Sequence, residues 1–425
     1  MVKKQILLVC IEFVDPLFSG NGILTQNMVR GLLETGFDIT LLCSRPQSLE
    51  NMPIHPSDDD MGKHPNLHII VTSVPDQTWK RLDRKSCWNY MAEQAPRRMK
   101  NFMGNTPKAF DYIFAIDWSA FPTIEQLRKS NIIPRKSRIA YFVFRVFTAS
   151  KELCKTEEDR LFYIRNELEG VKQSIITFVL SHVDKKSMED TIEQHSSFSK
   201  LGYTEKIEMP ILMPPLRYDV WRKVKEDVPK TNLNPATNKR YILCNARLSA
   251  EKNPICFAQM MKILHEKQIL QRFNLIPLQI GSICDKEYAT EVYSLLPSNS
   301  VIVNKFLTSE ELGEYYQQTI LNIHPSLYDA FGMTIVESAA FGVPSLIHGD
   351  TIGASSLLRE SENEIFVGNM SQSKLAAELV EKILLGGLDQ LMAVGEKAQI
   401  KSLSWSVNKY ASELKLNLES INNSI

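Results

Sequence analysis

The amino-acid sequence predicts an α/β protein made of two doubly wound, parallel-sheet domains facing across a cleft. Three observations predict it. A chain of 425 residues exceeds what one hydrophobic core sustains, so two domains are expected. Short apolar runs alternate with helical patterns in two separate series, the mark of crossover helices packed on parallel strands. Between the series, residues 205–240 are rich in Pro, Lys and Asn, as an interdomain connection is. The expected boundaries are residues 1–215 for the first domain and 216–404 for the second. In parallel sheets of this kind ligands bind beyond the carboxyl ends of the strands, which directs attention to the loops there.

The first series opens with QILLVCI and the helical LTQNMVRGLLETG, which ends on a glycine stop; DITLLC, LHIIVTSV, YIFAI and RIAYFVF follow. SIITFVL and the helical SHVDKKSMEDTIEQH close it. Each apolar run is five to eight residues, rich in β-branched and aromatic types, and too short for a helix. The second series reads RYILCNA, IPLQIG, SVIVNKF, ILNIHPS, PSLIHG and NEIFVG. SLSWSVNKYASELKLNLESI then forms an amphipathic helix with no strand after it. The opening MVKKQILLVC carries two lysines, but Glu12 and Asp15 follow without a small-residue cleavage site, so it reads as a first strand rather than a signal peptide. The absence of a run of ~20 apolar residues predicts no transmembrane helix.

Hydrophobic residues make up 44% and charged residues 23% of the chain, which excludes extensive disorder. Forty-nine basic and forty-nine acidic residues cancel, so no global field recruits nucleic acid. Seven scattered cysteines suit free thiols in a reducing, cytoplasmic setting.

Two segments carry candidate chemistry. In HPSLYDAFGMTIVESAAFGVPS, Asp329 and Glu337 flank a glycine-marked helix start that is closed by Gly342 and Pro344. The N–H groups there attract phosphate, and Gly332 admits a ligand close to the main chain. Spacing alone is equally served by a turn cap and a solvated helix acid. In CNARLSAEKNP, Arg247 and Lys252 leave the end of a strand together, placed so that a forked guanidinium and a mobile ammonium hold a diphosphate. A charged exposed loop is the plainer alternative.

In chain order, with CNARLSAEKNP preceding the acid pair, the two segments resemble the nucleotide-binding domain of the GT-B glycosyltransferases, most closely the retaining family 4. NARLSAEKN matches that family's GRL-x-x-EK loop, and PSLYDAFGMTIVESAAFGVP its Glu-x7-Glu pair within PS-x-x-E-G-F-G. Looser similarity covers FSGNG, MPILMPPLRYDVW and SLSWSVNKYASEL. The resemblance implies two Rossmann-like domains, with residues 405–425 returning as a helix onto the first. It also implies a transferase (a hexosyltransferase) that moves a sugar from a nucleoside diphosphate to a hydroxyl of a glycan, lipid-linked or small-molecule acceptor, with retention and no metal. Glu337 would then meet the ribose hydroxyls, Asp329 the transferred sugar, and Arg247 and Lys252 the departing diphosphate. The N–H groups of Gly332, Met333 and Thr334 would complete the cradle.

Two departures stand out. Asp329 occupies a position where the family usually has Glu. Within YIFAIDWSAFP, which resembles H-x-H-D-W, Asp117 and Trp118 are kept, but Ile116 stands where a histidine is common. Gly20 and Gly22 form the turn after the first strand, next to the expected diphosphate or as a plain tight turn. A nicotinamide fingerprint is excluded because Thr25 takes the third glycine position.

Arg145 interrupts an apolar strand, as an acceptor contact or a buried ion pair. Residues 76–100 hold seven basic residues against three acidic, with Trp79, Leu82, Trp88 and Met91 apolar. That composition suits peripheral contact with an anionic membrane, the acceptor cleft, or a helix packed on its own domain. His55, Asp58, Asp59, Asp60, His64 and His68 read as a polar loop, since Pro56 and Pro65 break a ligating helix. His324 and His348 read as core-edge residues. A catalytically weak nucleotide-sugar-binding partner or regulatory protein is the other functional class, with Ile116 and Asp329 favouring it. An epimerase or hydrolase using the same cleft is a third.

Overall fold

The computed structural model describes residues 3–17, 19–54, 59–79, 87–104, 109–149, 154–195, 208–226, 240–305 and 307–424. The chain divides into two compact units, Met1–Pro215 with Val407–Ile425, and Leu216–Ser406.

The first unit is built on a six-stranded sheet. Its strands are β1 (Gln5–Val9), β2 (Asp38–Pro46), β3 (Leu67–Val74), β4 (Tyr112–Ile116), β5 (Ile139–Val143) and β6 (Ile176–Val179). They lie in the order β3-β2-β1-β4-β5-β6, every neighbouring pair parallel. Leu7, Leu8, Val9 and Phe114 are fully buried, as expected of strands covered on both faces. The terminal helix Val407–Ser424 packs on the helix Gly20–Glu34. Gly31 permits this close approach, since a Cβ there would stand 2.5 Å from the Val407 carbonyl oxygen.

The helix Cys87–Met103 lies against β3 and a neighbouring helix, Phe121–Lys129. Trp79 and Met91 belong to the unit's core, Trp88 packs against it, and Trp88 meets Trp118 edge to face at 5.5 Å. These apolar side chains of residues 76–100 therefore pack within their own unit. Leu82 and the basic residues Lys80, Arg81, Arg84 and Lys85 lie outside the described residues.

The second unit repeats the plan with β7 (Arg240–Asn245), β8 (Leu275–Ile280), β9 (Val301–Val303), β10 (Thr319–Ile323), β11 (Ser345–His348) and β12 (Phe366–Gly368). The order is β12-β11-β10-β7-β8-β9, again all parallel. The sheet buries Ile242, Cys244, Leu321 and Ile323 against Phe257, Met260, Met261 and Leu264. Buried Asn322 donates to Ser338 Oγ (3.2 Å) and Ser345 Oγ (3.0 Å), and Ser402 Oγ donates to the Val336 carbonyl (2.8 Å). Each bond satisfies a buried polar group; the one to Ser338 fixes the helix Met333–Ala340 on the sheet, and the one from Ser402 ties it to the helix Leu388–Ser404. In each unit the winding direction reverses between two adjacent strands, β1 and β4 in the first, β7 and β10 in the second. Loops leaving those strands diverge and open a crevice at the carboxyl edge. Among the described residues no helix is long and apolar enough to cross a membrane.

Candidate active site

In the second unit the loops after β7 and β10 meet at this reversal. A single 3-10 turn, Ala250–Lys252, precedes Asn253, whose φ of 52° is left-handed. Asn253 anchors the bend with its amide, donating to the carbonyls of Pro325 (3.0 Å) and Met370 (3.2 Å). Pro254, pre-set for a first helical position, starts the helix Pro254–Glu266. The turn delivers Lys252 Nζ to 2.6 Å from Asp329 Oδ2, each side chain 16% exposed.

Asp329 is held by its own backbone, its N–H donating to Thr351 O (3.2 Å) and its carbonyl accepting from Gly353 N (2.9 Å). Gly353 has no room for a Cβ, which would collide with the Ala330 carbonyl. His324, just beyond β10, places Nε2 3.1 Å from the same Oδ2. Burial alone would raise the Asp329 pKa; the Lys252 ammonium and His324 outweigh it and hold the carboxyl well below the usual range. One oxygen thus takes two donors, from Lys252 and His324.

The helix Met333–Ala340 starts at Gly332, whose φ of 88° favours glycine, and no side chain caps it. The N–H groups of Met333 and Thr334 belong to this uncapped first turn. One turn in, Glu337 is 3% exposed, with Oε1 3.5 Å from Arg217 Nη1. Burial pushes its carboxyl above the ordinary value against the pull of Arg217. Neither Arg217 nor His324 was marked as functional by sequence reasoning. His324 had one available signal, its place at the carboxyl end of a strand five residues before the acid; Arg217 lies within MPILMPPLRYDVW, but its pairing with Glu337 had none, because the two are 120 positions apart.

Arg247 does not share the Lys252 counterion. Its side chain is 46% exposed and stands 3.9 Å from Glu251. The physical reason is local: Leu248 is fully buried and its N–H bonds Ser282 O at 2.9 Å, so the preceding side chain in this extended stretch turns to solvent. His348 Nδ1 accepts from Met370 N at 3.0 Å, a structural bond.

In the first unit Asp117 lies just past β4, buried, with φ 56°. Its Oδ1 accepts from Phe144 N and its Oδ2 from Asn21 Nδ2, each at 2.8 Å. Both oxygens of Asp117, a catalytic candidate through its place in YIFAIDWSAFP, brace loops of their own unit. Gly20 starts the helix after β1 with open space around it. Gly22 is explained by packing: a Cβ would stand 2.6 Å from Leu17 and 3.1 Å from the buried Glu12. Ser19 caps the helix and bonds Glu12. Ile116 ends β4, buried. Arg145 lies over the Phe147 ring at 5.8 Å.

The loop after β5 is held by a second buried acid, Glu167, which accepts from Phe147 N (2.5 Å) and Thr148 Oγ1 (2.9 Å). Burial pushes Asp117 up to about 7 and Glu167 up to about 8. An acid whose folded pKa is raised contributes stability that is complete below its unfolded value and lost as pH rises through the folded one. Urea denaturation of Glu167→Gln across pH ~4.5 to ~8 is therefore expected to show a shallower fall in stability than the unchanged chain; an equal slope would show that Glu167 titrates at its ordinary value.

Among the described residues no group of three or more His, Cys, Asp or Glu is placed to hold a metal. Of the histidine-aspartate stretch, His55 and Asp58 and the side chains of Asp59 and Asp60 lie outside them. His64 accepts from Asn66 N at 3.2 Å, and His68 stands 3.7 Å from Asp38.

Residues 226–401 match the family model described as Glycosyl transferases group 1. No curated protein sequence matches the chain. The fold is similar to that of solved structures across their full length. Sucrose-phosphate synthase from Thermosynechococcus elongatus is 14% identical, with 100% of both chains covered and a TM-score of 0.71. An α,α-trehalose-phosphate synthase (UDP-forming) from Burkholderia xenovorans, in complex with glucose-6-phosphate, is 12% identical, with 98% of this chain and 100% of that one covered and a TM-score of 0.70. A structure from E. coli described as trehalose-6-phosphate bound with UDP-2-fluoro glucose is 11% identical, with 98% and 99% covered and a TM-score of 0.71. At these identities the likeness establishes the fold, and the match to the family model is confined to residues 226–401.

Proposed function

We propose, from the premise that the second unit is a glycosyl transferases group 1 domain in a chain with the GT-B fold, that the protein transfers a sugar from a nucleoside diphosphate to a hydroxyl acceptor with retention. The observation that carries this reading is the Lys252–Asp329 contact of 2.6 Å at the winding reversal of the matched domain. A cation and an acid held together there suit a sugar diphosphate, the acid meeting sugar hydroxyls and the cation the leaving group. Glu337 takes the ribose diol, and the N–H groups of Gly332, Met333 and Thr334 receive phosphate oxygens. Arg247, half-exposed, turns inward to add a second cation when diphosphate is present.

In the reaction the anomeric C–O bond to diphosphate breaks as the acceptor oxygen attacks the same face. The departing phosphate oxygen takes the acceptor proton, a route that does not require a histidine at position 116. Lys252 and Arg247 supply the countercharge, so no metal is required. The seven cysteines are free thiols, which suits a reducing cytoplasmic compartment.

A second reading has one observation in its favour. Asp329 already shares one oxygen between Lys252 and His324, a self-satisfied arrangement compatible with a protein that binds nucleotide sugar without turning it over. Incubation with a panel of nucleoside diphosphate sugars, with and without sugar and sugar-phosphate acceptors, separates the two. Acceptor-stimulated release of nucleoside diphosphate is the expected result; tight nucleotide binding with no release for any pair would overturn transfer in favour of the regulator.

A further inference from the structure

We propose that Arg217 is a positioning residue for Glu337, holding that acid oriented and ionised for a vicinal diol. The inference rests on the reading of Glu337 as the acid that meets the nucleotide ribose. Arg217 immediately follows the residue at which the chain enters the second unit, where Leu216 N–H bonds the Trp405 carbonyl at 3.1 Å. Its side chain is 14% exposed. Nε (3.1 Å) and Nη2 (2.6 Å) fork the two oxygens of Asp219, which fixes the guanidinium plane.

That plane aims the remaining nitrogen, Nη1, at Glu337 Oε1 from 3.5 Å. The separation is an ion pair but longer than an ordinary N–H···O bond. Glu337 therefore faces a guanidinium whose charge is shared with Asp219, at a separation that leaves acceptor capacity for hydroxyl donors. A lysine in this place would bring charge without the fork, and a carboxylate partner hydrogen-bonded to saturation would have no acceptor left for a diol.

Among the described residues, Arg217, Asp219 and Tyr316 are the charged and titratable groups that face Glu337. Burial raises the Tyr316 phenol far above its usual value, so it remains neutral; Asn245 donates to its oxygen at 3.1 Å and it reaches Thr334 O at 3.4 Å. Asp219 repels the Glu337 charge and Arg217 attracts it. Without the guanidinium, burial and Asp219 act unopposed and the acid takes up a proton at higher pH. Ligand affinity that depends on the ionised acid is then lost as pH falls through that raised value.

The test uses calorimetry of the full chain with whichever of UDP, GDP and ADP binds tightest, and with its 2′,3′-dideoxy form. For Arg217→Met we expect about tenfold weaker binding of the ribonucleotide near neutral pH, and a steeper weakening toward pH ~6 than the unchanged protein shows. Binding of the dideoxy form should be the same in both. In a Glu337→Gln background, Arg217→Met should add less than about twofold. Arg217→Lys, which keeps the charge, should restore the pH profile of the unchanged protein, and it carries the test if the methionine variant does not fold. Equal losses for ribo and dideoxy ligands, or a loss as large in the Glu337→Gln background as alone, would reduce Arg217 to a brace of the fold and overturn the inference. If Glu337→Gln itself leaves the ribo-to-dideoxy preference intact, the assignment of Glu337 fails instead.

Discussion

Lys252→Ala is expected to lower kcat for sugar transfer by about two to three orders of magnitude while changing nucleoside diphosphate affinity by less than about tenfold. The asymmetry follows from when the charge is needed. In the resting site the ammonium lies 2.6 Å from Asp329 and is already neutralised. As the glycosidic bond breaks, negative charge grows on the diphosphate, and a cation fixed beforehand costs no reorganisation at that moment. The Asp329 carboxyl is the second consequence. Its depressed pKa contributes stability above its unfolded value that is lost as pH falls through the folded one. Removing Lys252 takes away the strongest cause of that depression, so acid unfolding should begin at higher pH. Single-turnover kinetics with the best donor, alongside acid titration of folding, measures both, and Lys252→Ala/Asp329→Asn separates lost leaving-group charge from an uncompensated acid. A rate loss confined to KM would remove Lys252 from the chemical step.

Glu337→Ala is expected to weaken nucleoside diphosphate binding by about a hundredfold, about 3 kcal/mol, the scale of two hydrogen bonds to a charged acceptor lost from a buried site. The residue is 3% exposed and faces a guanidinium rather than water, so bulk solvent does not replace the lost oxygens. Glu337→Gln keeps one acceptor oxygen and should fall between. Calorimetry of both against the unchanged chain decides the matter: if both bind as the unchanged protein does, Glu337 is a structural acid paired to Arg217 and the donor lies elsewhere.

Much of the architecture was legible from local pattern. Runs such as QILLVCI and RYILCNA are apolar in their interiors because their strands, β1 and β7, are covered on both faces, and the intervening helices ended at readable glycines such as Gly36 and Gly342. The acids and cations of the second unit were legible as candidates because Asp329 and Glu337 flank a glycine whose φ of 88° is a local requirement. Their partners were not. Lys252 and Asp329 are 77 positions apart and Arg217 and Glu337 are 120 apart, and no periodicity links residues joined only by parallel strand order.

The sequence by itself determined two parallel α/β units, their boundaries near residues 215 and 405, and which segments carry carboxylates and cations at strand ends, since strand period, helix period and glycine stops are properties of neighbouring residues. Only the tertiary structure decided that Lys252 meets Asp329, that His324 joins them, that Arg247 turns to solvent, that Asp117 braces loops and that Arg217 faces Glu337. Those outcomes depend on which loops the strand order places side by side, and on how burial and neighbouring charge divide a carboxylate between donors of the chain and a ligand yet to arrive.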